Sequence, residues 1–124
     1  MNQGLQTEIK AAIGAHGMWK ARLYAAIQTG VAQQTVAEVK DDRRCQFGKW
    51  LGSVDAQTRS SAGYKKCSDL HAQFHSTASR VLGLALAGKK LEASKAMDPG
   101  SDYVSTSMNL VKALLAWAKD DASR

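Results

Sequence analysis

Apolar residues in this chain recur three and four apart, and no stretch alternates in the manner of a strand. One run is Tyr64, Cys67, His71, Phe74, Ala78, Val81, Leu82 and Ala85. That spacing lays a single stripe along one face of an α-helix. An earlier stripe is Leu5, Ile9, Ala12, Ile13, His16, Trp19, Leu23 and Ile27. A later segment carries two, one of Val104, Met108, Val111, Leu115 and Ala118, the other of Tyr103, Leu110, Leu114 and Trp117. One proline and ten glycines leave little room for many turns. The periodicity predicts an all-α fold, a four-helix bundle with a short extra helix.

Boundary signals divide the chain further. Gly30 stops the first helix, which runs from about residue 5 to residue 28. Residues 31–40 read as a loop with room for a helical turn. Asp41 or Asp42 then caps a short helix over residues 43–51. Residues 52–63 are polar and turn-rich. A long helix follows over residues 64–87, ended or bent at Gly88, with a short helix over 91–97. Asp98-Pro99-Gly100 is a turn, and Ser101 or Asp102 caps a last helix to about residue 119. Its wide apolar face suits either a partner subunit or a central place in the bundle.

The 124 residues fit one domain, 1–124, that buries roughly two-thirds of its unfolded surface. No apolar run approaches the roughly 20 residues that cross a bilayer, and the start lacks the regions of a signal peptide. These features point to a cytoplasmic protein. In a reducing compartment, Cys45 and Cys67 favour metal ligation or redox chemistry over a structural disulfide. The net charge of +6 is spread in short pairs such as Arg43-Arg44 and Lys65-Lys66, broken by acidic residues. That pattern is a solvated surface, without the dense basic tract of a nucleic-acid binder.

The chemistry lies in the polar residues that share the apolar stripes. His71 and His75 are four apart, so their imidazoles stack on one helical face and can converge on one metal ion. A metalloprotease helix has Glu after the first His as its general base; here that residue is Ala72. Buried histidines need partners, because an unpaired buried polar group costs a few kcal/mol. His16 holds a core position on the first helix, between Gly14 and Gly17. It is either a lone buried histidine bonded to a carbonyl or a third ligand. Cys45 falls in the first turn of the short helix, where amides and the helix dipole favour thiolate. It is either a small buried hydrophobe or a sulfur ligand.

Together, His16, Cys45, His71 and His75 would form a closed His3Cys set. Zinc suits mixed imidazole and thiolate in a tetrahedron, and four protein ligands leave no position for substrate, which argues against an enzyme. Thiolate disfavours magnesium and calcium, while copper and iron also accept such ligands. A di-iron carboxylate bundle would need Glu-x-x-His pairs, and Glu8, Glu38 and Glu92 form none.

The run Arg44-Cys45-Gln46-Phe47-Gly48-Lys49-Trp50-Leu51 closely resembles the cysteine signature of the chemoreceptor zinc-binding domain family. His16-Gly17-Met18-Trp19 resembles that family's first histidine motif, and His71-Ala72-Gln73-Phe74-His75 its His-x-x-x-His. The resemblance extends over essentially the whole chain. It implies a bacterial, cytoplasmic, all-helical and commonly homodimeric domain that binds Zn2+ through the three histidines and Cys45. It further implies that zinc occupancy, or oxidation of the cysteine by hypochlorous acid, controls a chemotaxis receptor or diguanylate cyclase output. The partner domain would be a separate protein or a part of a longer chain. No nucleic acid or membrane partner is expected. The alternative is a permanent structural zinc staple in a dimerisation or interaction module.

A switch follows from the ligand set. Loss of the sulfur ligand would free the Cys45 element while three histidines keep the metal. Cys67, one turn before His71, is either a core residue or a second thiol able to resolve an oxidised Cys45 or replace it as a ligand.

Overall fold

In the computed structural model, which describes residues 2–123, the chain forms seven helices and no strand among those residues. Three helices are long: α1 (Gln3–Thr29), α5 (Ala62–Leu86) and α7 (Asp102–Ala122). Four are short: α2 (Val36–Lys40), α3 (Gln46–Ser53), α4 (Ala56–Arg59) and α6 (Lys90–Lys95). This is the all-α bundle that the periodicity predicts, with α3 as the short element carrying Cys45.

Side-chain caps set most of the boundaries. The Asn2 side chain accepts a hydrogen bond from the Leu5 N–H, Ser61 from the Tyr64 N–H and Ser101 from the Val104 N–H. Such a cap contributes about 1 kcal/mol. Gly30 closes α1 at φ 74°, a left-handed conformation that costs glycine nothing, and its N–H bonds the Ala26 carbonyl.

The expected boundaries change in three places. Residues 31–40 contain a true short helix, α2, started by a reciprocal capping box between Thr35 and Glu38. The turn-rich 52–63 stretch holds α4, capped by Asp55, and the first residues of α5. Finally, neither Asp41 nor Asp42 caps the cysteine helix. Its N-cap is Cys45 itself, whose sulfur accepts from the Gly48 N–H.

α5 is the central element and packs against α1, α2, α6 and α7. Phe74, almost fully buried, joins three long helices. Its ring lies 4.2 Å from the ring of His16 on α1 and 5.5 Å from that of Tyr103 on α7. At the start of α5, Gly63 leaves the space that the Trp117 indole of α7 fills. Burial of Phe47 and Leu51 holds α3 to this core, each contributing roughly 1.5–3 kcal/mol. The Tyr64 hydroxyl adds a hydrogen bond of 2.9 Å to the Leu51 carbonyl.

Of the two stripes on α7, one is core: Tyr103, Leu110, Leu114 and Trp117 are buried. The other lies at the core's edge: Val104 and Ala118 pack half-buried against it, while Met108 and Leu115 are each 55% exposed. No helix among the described residues is long and apolar enough to cross a membrane.

Candidate metal centre

The register of α5 turns His71 and His75 inward, one turn apart, and both are buried. Their ring centroids are 4.6 Å apart and their Nε2 atoms 3.1 Å apart. His75 Nδ1 lies 2.8 Å from the Val39 carbonyl oxygen. A carbonyl can only accept, so Nδ1 carries the proton and Nε2 of a neutral ring presents its lone pair. α2 thus has a specific role, because its Val39 carbonyl fixes the tautomer of His75. Edge-on contacts also hold the rings, Phe47 against His71 at 5.1 Å and Trp19 against His75 at 5.9 Å.

Cys45 completes a triangle. Its sulfur is 3.2 Å from His71 Nε2 and 3.6 Å from His75 Nε2. All three donor atoms lie within 4.8 Å of one another. A zinc tetrahedron with bonds of about 2.0–2.1 Å to nitrogen and about 2.3 Å to sulfur has edges of about 3.3–3.6 Å. The observed separations of 3.1, 3.2 and 3.6 Å are close to those edges. Two imidazole nitrogens and one sulfur, mutually spaced as ligands around one ion, fit zinc.

Burial keeps the protein's own groups uncharged. It lowers His71 to about 3, helped by His75, Arg43 and His16 nearby. It also lowers His75, with the Val39 hydrogen bond pulling the other way. Neutral imidazole is the form that ligates a metal. The Cys45 thiol is pushed up by burial, and the amides of Gly48 and Phe47 only partly offset this. The expected thiolate-favouring effect of the helix start is therefore present but outweighed. A bound divalent cation would reverse the balance, since a ligating thiol is deprotonated.

His16 stands apart from the triangle. It is buried on α1 and shares the wall of a small cavity of about 80 Å³ with Trp19, Cys45, His71 and His75. Its Nε2, however, lies 2.5 Å from the Ser107 hydroxyl of α7, and it is not among the three converging donors. Cys67 is on α5, wholly buried, with its thiol pushed up to about 12 by burial. It packs as a core residue.

Two contributors escaped the sequence reading. Val39 acts through its backbone, which no residue type announces, although the Thr35–Glu38 box signalled the helix that carries it. Asp42 lies with one carboxylate oxygen 3.9 Å from His71 Nδ1.

Fold and donor set together define a small helical metal-binding module. The chain belongs to the chemoreceptor zinc-binding domain family, whose model matches residues 16–82. That span begins at His16 and includes Cys45, His71 and His75. Neither the curated proteins nor the solved structures yield a match to the chain.

Proposed function

We propose that this domain is a zinc-dependent sensory module in which one ion is held by His16, Cys45, His71 and His75. The observation that carries the reading is the convergence of Cys45 Sγ, His71 Nε2 and His75 Nε2 at 3.1–3.6 Å. His16 completes the set by leaving Ser107 and turning into the shared cavity. Bound zinc supplies positive charge that holds Cys45 as thiolate. With four protein ligands no position remains for a substrate, so the domain is not an enzyme.

Cys45 makes the site responsive. It is only half-buried, at the edge of the core, and it sits on the segment joining α2 to α3. Hypochlorous acid would oxidise its thiolate by two electrons: the sulfur takes the oxygen to become sulfenic acid, and chloride leaves. The lost ligand would release the Cys45 sulfur from the two imidazoles, while Phe47 and Leu51 keep α3 on the core. The signal passes to a chemotaxis receptor or diguanylate cyclase output. The exposed Met108 and Leu115 of α7 support a homodimer or a partner on that face.

Elemental analysis of the purified protein and a competition titration test the reading. One zinc per chain is expected, and Cys45→Ala binds it more weakly without losing it. Cys45→Ala with wild-type affinity would remove the sulfur from the site. Zinc that never exchanges, together with a thiol inert to oxidant, would favour a permanent staple.

A further inference from the structure

The two ligand histidines are anchored unequally. His75 Nδ1 is bonded to the Val39 carbonyl. His71 Nδ1 is equally buried but has no hydrogen-bond partner. An orphaned buried donor costs about 1–3 kcal/mol, and His71 needs this one, because its Nε2 is the atom that faces Cys45 and His75. The group that faces Nδ1 is a carboxylate oxygen of Asp42, 3.9 Å away. That is about 1 Å longer than a typical N–H···O hydrogen bond.

The backbone of Asp42 is already held in place. Its carbonyl oxygen lies against Gly48, where a Cβ would otherwise be, and 3.8 Å from the Cys45 sulfur. Only the carboxylate has to move, and it retains partial access to solvent, with 26% of the side chain exposed.

We propose that Asp42 is a positioning residue for zinc, its carboxylate accepting the Nδ1–H of His71 when Nε2 engages the metal. The assignment rests on the zinc reading above. A cation on Nε2 draws charge from the ring and strengthens the Nδ1–H as a donor, while the carboxylate fixes the tautomer and ring orientation. Asp42 and Cys45 lie three residues apart on one segment. Zinc therefore grips that segment twice, once through sulfur and once through the His71 ring, and release of the metal loosens both ends together.

The test compares zinc affinity of wild type, Asp42→Asn and Asp42→Ala by chelator competition. Histidine-ring nitrogen–proton spectra of the zinc-loaded wild type accompany it. Asp42→Ala is expected to bind about 10- to 100-fold more weakly, and Asp42→Asn less so, because its amide oxygen still accepts. The His71 Nδ1–H should be protected from exchange in the loaded wild type. Wild-type affinity in both variants overturns the role of Asp42 and leaves the zinc site standing. A wild-type chain that takes up no zinc overturns the zinc reading and this assignment with it. Should Asp42→Ala fail to fold, the wild-type spectrum decides: a His71 Nδ1–H that exchanges freely overturns the proposal.

Discussion

Gly48 and Asp42 meet backbone to backbone, the Asp42 carbonyl oxygen occupying the place a Cβ would take on Gly48. The contact presses residues 42–45 onto the first turn of α3 and so positions the Cys45 sulfur opposite the two imidazoles. Any side chain at position 48 must displace that segment. Gly48→Ala is therefore expected to destabilise the fold by about 1–3 kcal/mol, as overpacking does, and to weaken zinc binding. Thermal melts with and without zinc check this. A variant matching wild type in both would mean that the segment yields without carrying the sulfur away.

The buried histidines give the metal-free protein a defined pH dependence. Burial lowers His16, His71 and His75, His71 to about 3. An unfolded chain protonates these rings near the ordinary value of about 6.5. Below that pH the unfolded state binds more protons than the folded one. Stability is thus fully present above about 6.5 and is lost as pH falls toward the folded values. The melting temperature of zinc-free protein is expected to drop between about pH 7 and pH 5, by roughly 3–6 °C for each kcal/mol lost. The carboxylates of Glu38 and Asp55, held low by their capping bonds, contribute only at more acid pH. Melts of chelator-treated protein across that range check the slope, and a flat profile would contradict it.

The stripes and caps made the long helices legible, because burial of Leu5, Ile9, Leu23 and the α5 face follows directly from their spacing. The short elements were harder. α2 buries only Val39, too little for a periodic signal, so residues 31–40 read from sequence as a loop with room for a helical turn. Asp41 or Asp42 is the expected cap for α3, since aspartate outranks cysteine there. Backbone packing of Asp42 on Gly48 decided otherwise, and that contact joins residues only the fold brings together. For His16 the stripe foretold burial. It could not foretell a ring turned toward Ser107, which belongs to a helix 91 residues away.

The two cysteines should differ sharply toward oxidants. Cys45 is half-buried beside two imidazoles. Cys67 has no exposed surface, and burial pushes its thiol up to about 12. Reactivity follows thiolate and access. Stoichiometric hypochlorous acid is expected to add oxygen at Cys45 and weaken zinc binding without abolishing it, while Cys67 stays a free thiol. Peptide mapping under non-reducing conditions checks it. A Cys45–Cys67 disulfide would show that α5 opens enough to expose its core face.

His16 and Ser107 give the most discriminating prediction about the fourth ligand. The bond between them, 2.5 Å from Nε2 to the hydroxyl, ties α1 to α7 and, on the proposed four-ligand reading, would compete with zinc for the same nitrogen. If His16 is the fourth ligand, as proposed, His16→Ala should weaken zinc binding while leaving it measurable through the remaining three. Ser107→Ala removes the competitor, worth about 0.5–1.5 kcal/mol for an ordinary hydrogen bond, and should strengthen zinc binding by roughly 2- to 12-fold. The opposite signs separate exchange of partners from simple loss of packing, which would weaken both variants. Isothermal titration against a chelator of known affinity reads both. Weaker zinc binding in Ser107→Ala would overturn the exchange of partners.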